Sequence, residues 1–376
     1  MKRIISVQTL KVSDKMSNPK SLNEPNQVIL DGYILPSKYI LGPATKIVLL
    51  LTVAYVSAYY VSYLTLSLFR TCKYTTKMVI FMCAHDAVDA FTVLCAGLVI
   101  IFGTNMEHFR KFISTIQLLS LETDRSAVRT IKQNRIIIHV LLLVILIFFM
   151  GTFFVKEMSS SIDTVKSFVF IIDCIHRLLY RSGILFTLNM ICNICCCLKA
   201  AFNQINTQIT TLNTTSDHSN DHLFDRIKDL RQKYSYAVRS TQSAEKLFRC
   251  YITIFYMQYF SYVTMNSVMS FGPETSIDPF WLLYILLDTM HFIILTHHLV
   301  SVSNLSREGL EDLYELSFKL NTAESRHEND IFIARMALSD VGFTFANLFT
   351  INNNFITSLF TLSLTIIITL ASFLYQ

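Results

Sequence analysis

Hydroxyl and amide side chains recur about every four residues through the end of this sequence. We call this set the hydroxyl stripe; it consists of Thr357, Thr361, Thr365, Thr369, Ser372 and Gln376. On an α-helix, which turns by about 100° per residue, all six fall within roughly one third of the circumference. Such a stripe on an otherwise apolar helix is typical of the wall of a water-filled ion pathway. The alternative is that the Thr hydroxyls bond to carbonyls one turn earlier and only help helices to pack.

Ionisable, amide and aromatic side chains also lie inside several of the most apolar segments. We call eleven of them the outer polar cluster: His85, Asp86, Asp89, Asp173, Arg177, Arg181, Tyr262, Asn266, Trp281, Tyr284 and Asp288. Such groups are costly in a membrane interior and tend to mark function there. Together they are suited to hydrogen-bonding and stacking a small polar or aromatic ligand. The alternative is mutual neutralisation, with Asp173 and Arg177 as an i,i+4 pair and Arg181 meeting Asp86 or Asp288.

Two groups of potential metal ligands do not form a recognisable metal site. The cysteine run comprises Cys192, Cys195, Cys196 and Cys197. It lies in an apolar segment without matching ligands elsewhere, so packing, juxtamembrane palmitoylation and zinc binding all stay open. His297 and His298 form one adjacent pair, whereas membrane di-iron enzymes need several histidine boxes. The chain also lacks a glycine-rich phosphate loop and a nucleophile elbow. We therefore expect no enzyme activity, no cofactor and no metal.

The composition of the chain is that of an integral membrane protein. Of its 376 residues, 52% are hydrophobic and only 16% are charged, against roughly 25% charged in an ordinary soluble chain. Gly and Pro are scarce, which favours long uninterrupted helices. The net charge of +5 does not indicate nucleic-acid binding, because its meaning lies in where the charges sit along the chain.

Seven segments are long and apolar enough to cross a bilayer, which takes about 20 residues of helix. The predicted spans are 47–69, 78–103, 136–155, 167–198, 250–273, 279–302 and 355–376. Three consecutive asparagines at 352–354 separate the last span from a shorter predicted helix at 328–349, because Asn favours a helix break. We therefore predict an all-α membrane protein with seven transmembrane helices.

The distribution of Lys and Arg predicts the orientation of these spans. With a cytoplasmic N-terminus, 21 of these residues fall on inside segments and five on outside loops. Because cytoplasmic loops carry the excess of positive charge, the N-terminus is predicted inside and the C-terminus outside. The outer polar cluster then lies in the outer halves of four spans, at one depth and open to the outside.

The long inside segments are predicted to form helices rather than disordered loops. Apolar residues recur with a helical period at Leu223, Ile227, Leu230 and Tyr234, and again through Leu310, Leu313, Leu316 and Leu320. Either these helices extend the spans and pack as a cytoplasmic bundle, or they lie on the bilayer surface. The predicted organisation is a cytoplasmic segment at 1–38, a six-span ligand-sensing bundle at 39–325, an anchor helix at 326–350 and a pore-lining span at 355–376.

Two other classes of seven-span protein fit this sequence less well. A G-protein-coupled receptor has its N-terminus outside and carries Asp-Arg-Tyr and Asn-Pro-x-x-Tyr motifs, neither of which occurs at the expected place. A small-solute transporter is the other alternative, and no internal repeat supports it.

The end of the chain resembles the insect gustatory receptors, relatives of the insect odorant receptors. The stretch Phe345-Ala346-Asn347-Leu348-Phe349-Thr350-Ile351-Asn352 is similar to the one that precedes the family's last helix. The family closes with Thr-Tyr, five apolar residues and Gln-Phe. One register here runs from Thr365 to Phe373, with Ser372 in place of Gln; the other runs from Thr369 to Gln376. We prefer the first register, because the family usually places this Thr at about that distance beyond the acidic position.

This resemblance implies a tastant-gated cation channel in the plasma membrane of gustatory receptor neurons. It implies a homo- or hetero-tetramer joined by a cytoplasmic anchor, with the last helix of each subunit lining a central pore. The gate would lie near Phe373, and a sugar or bitter compound would bind the outward-facing pocket in each subunit. The expected partners are thus a small molecule, the lipid bilayer and further subunits, and not nucleic acid.

Overall fold

The computed structural model describes residues 105–121, 124–158, 164–214, 220–270, 279–338 and 341–375, with isolated helical positions between Ile47 and Leu98. Within these ranges the chain is almost wholly helical. The helices are α1 (Met106–Gln117), α2 (Arg125–Met158), α3 (Thr164–Thr214), α4 (Asn220–Ser270), α5 (Pro279–Leu305), α6 (Leu310–Lys319), α7 (Ala323–Leu338) and α8 (Asn353–Tyr375). Two short antiparallel strands, β1 (Thr344–Phe345) and β2 (Phe349–Thr350), lie between α7 and α8.

Four helical stretches of the described chain are long and apolar enough to cross a membrane, the third of which runs from α5 into α6. These stretches are Ala127–Thr152, Gly183–Thr214, Ile285–Lys319 and Asn353–Leu374. They overlap the predicted third, fourth, sixth and seventh spans, and the predicted fifth span is helical as the second half of α4. The first two predicted spans and the segment 1–38 lie largely or wholly outside the described residues. The chain is a multi-pass membrane protein.

Helices α3 and α4 are much longer than a bilayer is thick. Each has 51 residues, which makes it about 77 Å long, whereas the hydrocarbon core measures about 30 Å. Helices α1, α6 and α7 pack against these extensions. Leu223, Ile227, Leu230 and Tyr234 are all buried there. The structure therefore packs these apolar faces into a helical bundle, while the cytoplasmic location of that bundle stays a prediction.

The predicted helix at 328–349 is wrong in its second half. Helix α7 ends at Leu338, and residues 341–351 form a hairpin in which Thr344 pairs with Thr350 and Phe345 with Phe349. The backbone of Ala346 and Asn347 is left-handed, with φ of 52° and 60°. Two consecutive positive φ angles turn a chain back on itself and cannot continue a right-handed helix.

Candidate functional site

An ion pair inside the helical bundle joins two members of the outer polar cluster. Arg181 on α3 donates from Nη1 to Oδ1 of Asp288 on α5, over 2.6 Å. The guanidinium also lies 4.4 Å from the ring centre of Phe149 on α2. Both charged side chains are about three-quarters buried. Of the two acids that the sequence offered Arg181, the described structure pairs it with Asp288.

Aromatic and hydroxyl groups of α4 and α5 line the same helix interface. The rings of Tyr259 and Phe292 are stacked with their centres 4.0 Å apart. The Tyr259 hydroxyl donates to Oγ1 of Thr289, the residue after Asp288, over 3.2 Å. Three residues after Asp288 on α5, the ring of His291 lies with its centre 4.6 Å from that of Phe255 on α4. The arrangement offers stacking surfaces beside a fixed charge pair, which suits a small ligand with both apolar and polar groups.

His291 was not predicted as a site residue, because the sequence shows only a histidine in an apolar span. Its side chain is buried, and its Nε2 has no hydrogen-bond partner among the residues that the structure describes. A buried polar atom without a partner is rare in native proteins and requires a reason, such as a ligand or a water molecule. Its position one turn beyond Asp288 places it in the same interface.

For most of the other predicted ligand residues the structure does not describe the side chain. Tyr262 is half-buried and Asn266 buried on α4. The backbones of Asp173 and Arg177 lie in α3 and those of Trp281 and Tyr284 in α5, but their side chains are outside the described part of the structure. His85, Asp86 and Asp89 are also outside the described residues. Their roles as ligand-binding residues therefore stay predictions.

The hydroxyl stripe of α8 lies opposite the half-buried side of that helix. From the second turn onwards the half-buried positions are Leu359, Ser363, Ile366, Ile367, Leu370, Ala371 and Leu374, and among the described helices α8 packs against α4. On a helical wheel the centre of these positions lies about 180° from that of the Thr residues. Thr357, Thr361, Thr365 and Thr369 are all exposed, and no residue in the most apolar stretch of α8 is buried within the single chain.

The four Thr hydroxyls form hydrogen bonds to the backbone of their own helix. Such bonds are expected if the Thr residues serve only to pack helices together. Each donates to the carbonyl oxygen four residues earlier, over distances of 2.8–3.0 Å. Among the described residues, however, these hydroxyls form no hydrogen bond to another helix, and the side chains are exposed. With its proton donated to the backbone, each Oγ1 presents only lone pairs outward, and a row of acceptors attracts water and cations rather than anions.

The predicted gate residues lie near the free end of α8. Ser372 is exposed, as is Phe373, whose ring is 61% accessible. Lys77, an isolated described residue ahead of the second predicted span, lies against Phe373. Gln376 lies outside the described residues, so the choice between the two registers of the closing motif is not tested.

The cysteine run is part of the protein core. Cys192, Cys195, Cys196 and Cys197 are all buried in α3 with free thiols, and Arg135 of α2 donates to Sγ of Cys197 over 3.6 Å. Thiols in this position are closed to a palmitoylating enzyme, which favours packing. Within the described part of the chain, no group of His, Cys, Asp and Glu is arranged to hold a metal ion.

Two solved structures of an insect receptor share this architecture. The olfactory receptor OR5 from Machilis hrabei aligns with a TM-score of 0.66 at 12% identity, over 87% of this chain and 88% of that chain. The same receptor in complex with eugenol aligns with a TM-score of 0.62 at 12% identity, over 85% of this chain and 88% of that one. No protein-family model and no curated protein sequence matches the chain. The chain therefore has the fold of an insect olfactory receptor.

Proposed function

On the fold that this chain shares with an insect olfactory receptor, we propose that it is a chemosensory receptor channel that opens to cations when a small molecule binds. The likeness of its closing sequence to the gustatory receptors favours a tastant, with acceptance or avoidance of food compounds as the outcome. The multi-pass architecture places the protein in a membrane, and we propose the plasma membrane of gustatory receptor neurons.

The direction of the hydroxyl stripe is the observation that supports this proposal best. The half-buried side of α8 and its row of Thr oxygens lie on opposite sides of the helix, and the Thr side chains are exposed in the described structure. Subunits arranged around an axis, with four in the proposed tetramer, would turn these rows towards one another. The result is a polar pathway through the membrane whose walls attract cations.

Ligand binding is proposed at the interface of α2, α3, α4 and α5. The Arg181–Asp288 pair offers both charges, and Tyr259 and Phe292 offer ring faces. Tyr262 and Asn266 extend the same face of α4 outward. A sugar or an aromatic bitter compound can use such a set, because hydroxyl groups bond to the charged pair and rings stack on the aromatic side chains. The solved relative binds eugenol, a ligand with both kinds of group.

Cysteine accessibility tests the pore assignment without knowledge of the ligand. Single Thr361→Cys, Thr365→Cys and Thr369→Cys variants should react with the positively charged, membrane-impermeant thiosulfonate MTSET and lose resting or evoked cation current. Ile367→Cys is the matched control, because it lies on the half-buried side of α8. Phe360 is a poorer control, since it is 71% exposed. Currents that do not change in any stripe variant, despite normal surface expression, would place the pore elsewhere or exclude a channel.

A further inference from the structure

The hairpin between α7 and α8 contains a strained turn, and the segment that leads into it has no room for a side chain at Gly342. A Cβ added at Gly342 would lie 2.9 Å from Cγ2 of Thr350 and 3.3 Å from Cβ of Ser303 on α5. At the tip, the N–H of Leu348 donates to the carbonyl of Phe345 over 2.9 Å. This bond closes a β-turn whose two central residues are Ala346 and Asn347. Ala346 has a φ of 52° there, a conformation that disfavours a residue with a Cβ and no polar side chain. Other contacts must therefore stabilise this turn.

Three residues on one face of α4 provide those contacts. We call Glu245, Arg249 and Thr253 the α4 latch; they follow one another at intervals of four residues and so share a helix face. Oε1 of Glu245 accepts a hydrogen bond of 2.5 Å from Oγ1 of Thr344 on β1. Oγ1 of Thr253 accepts one of 2.9 Å from the N–H of Ala346, the strained residue itself. The latch thus binds both the strand and the turn.

Arg249 completes the latch from within α4. Its Nε and Nη2 donate to the two oxygens of Glu245 over 2.6 and 2.7 Å, and these bonds raise the pKa of Arg249. The Glu245 side chain is only 7% exposed. Because a buried carboxylate needs to be paired and hydrogen-bonded, this glutamate is held in one orientation, with the bond to Thr344 as part of its coordination.

The hairpin in turn fixes the first turn of α8. The Phe355 ring lies 5.7 Å from that of Phe345 and 6.0 Å from that of Tyr256 on α4. Asn352 accepts at Oδ1 from the N–H of Phe355 over 2.9 Å and caps the helix. A rotation or shift of α4 at the latch therefore moves the start of α8 as well.

We propose that the α4 latch is a coupling element, in which Glu245 and Thr253 act as positioning residues that set the rotation of α8 and hence the direction of the hydroxyl stripe. This inference rests on the proposed function. Tyr259, beside the ligand interface, lies six residues after Thr253, or about 9 Å along α4. Movement of α4 at the ligand interface is passed through the latch and the hairpin to the pore helix.

Two substitutions at one position separate the latch contact from the fold of the hairpin. Thr344→Val removes the hydroxyl but keeps the shape and the strand preference of the residue, whereas Thr344→Ser keeps the hydroxyl. In full-length protein in nanodiscs, hydrogen exchange of the peptide 341–352 should become faster in Thr344→Val and in Glu245→Ala, and remain unchanged in Thr344→Ser. Asp229→Asn is a second control, because it breaks an exposed i,i+4 pair with Lys233 elsewhere on α4.

The rotation of α8 is tested by combining Thr361→Cys with each of these variants and measuring how fast MTSET reacts with the cysteine. The rate at which MTSET changes the resting current should shift about fivefold or more with Thr344→Val, the size of one modest coupling contact. It should not shift with Thr344→Ser or Asp229→Asn. The double variant Glu245→Ala/Thr344→Val should shift it no further than Glu245→Ala alone, since Glu245→Ala already removes the acceptor of the Thr344 hydroxyl.

The outcomes distinguish this inference from the proposed function. If MTSET alters the current of Thr361→Cys at the same rate in every latch variant, the channel assignment stands and the coupling is overturned. If MTSET never alters the current, the pore assignment fails, and the coupling fails with it. If hydrogen exchange of 341–352 does not respond to Thr344→Val, the latch does not hold the hairpin.

Discussion

The ammonium nitrogen of Lys77 lies 4.7 Å from the ring centre of Phe373 and donates a hydrogen bond of 3.2 Å to the carbonyl oxygen of that residue. A cation at the C-terminal end of a helix is favourable, because the last carbonyl groups carry partial negative charge. The predicted topology, with six crossings between these two residues, is compatible with this contact, because it puts both on the same side of the membrane.

The first prediction concerns this contact at the end of the pore helix. Lys77→Gln should raise the resting cation current, because the last turn of α8 loses about 1 kcal/mol of charge and ring interactions. Lys77→Arg keeps both interactions and should behave like the parent. Phe373→Ala should give the larger leak, since it removes the proposed gate itself. Whole-cell recording at matched surface expression measures the leak, and equal currents in Lys77→Gln and the parent would contradict the role of the contact.

A second prediction separates ligand binding from structural pairing at Arg181 and Asp288. Asp288→Asn leaves the Arg181 guanidinium without its carboxylate and should lower the free energy of unfolding by about 1–2 kcal/mol, since the pair is mostly but not wholly buried. The exchange Arg181→Asp/Asp288→Arg should recover thermal stability in detergent. If the pair binds ligand, the exchanged variant should still fail to respond in calcium imaging with a panel of sugars and plant alkaloids. Recovery of both properties would make the pair structural only.

A third prediction concerns Nε2 of His291, which has no hydrogen-bond partner among the described residues. His291→Phe removes a buried polar atom and keeps a ring against Phe255, so it should raise the free energy of unfolding by about 1 kcal/mol. The same change should abolish or weaken the response to ligands that hydrogen-bond at this position. Thermal unfolding and calcium imaging on the same preparation series measure the two effects. Gain of stability together with an unchanged response profile would show that Nε2 does not meet the ligand.

A fourth prediction concerns the orientation of the chain in the membrane. The sequence holds two N-glycosylation sequons, Asn213-Thr214-Thr215 and Asn304-Leu305-Ser306. Asn213 is buried and donates from Nδ2 to Glu315 over 2.9 Å, so it would carry no glycan on either side of a membrane. Asn304 is exposed and is the informative position. If the segments 199–249 and 303–340 are cytoplasmic, as predicted, Asn304 carries no glycan. An endoglycosidase-sensitive mass shift that disappears in Asn304→Gln would reverse the topology and favour a G-protein-coupled receptor.

The helices of this fold could be predicted, because the period of apolar residues that indicates a helix lies within a short stretch of sequence. The apolar period around Leu230 and Tyr234 marks a buried helix face, and that face is buried. The direction of the hydroxyl stripe could not be predicted, since periodicity shows that Thr361 and Thr365 share a side but not what that side faces. Likewise, the sequence predicted that Arg181 meets one of two acids, and only the packing of α3 against α5 shows its contact with Asp288.

The hairpin was missed for a different physical reason. A two-residue turn with positive φ is usually marked by Asn-Gly or Asp-Gly, whereas this one is Ala346-Asn347. The aromatic residues around it, such as Phe345 and Phe349, fit a helical period as well as a strand. The conformation depends on Thr253 and Glu245, which lie about a hundred residues earlier in the chain. The i,i+4 spacing of Glu245 and Arg249 was visible, but its role at the hairpin was not.

The last prediction tests the strain at that turn. Ala346→Gly removes the Cβ that disfavours the left-handed backbone, while the N–H that donates to Thr253 remains. The change should raise the free energy of unfolding by about 1 kcal/mol, measured as a higher midpoint of thermal unfolding in detergent. In ordinary helix positions the same substitution is destabilising by a similar amount, so Ala334→Gly, at an exposed position inside α7, is a matched control that should unfold at a lower temperature. If Ala346→Gly also unfolds at a lower temperature, the turn is not strained, and the hairpin does not need the α4 latch to hold its shape.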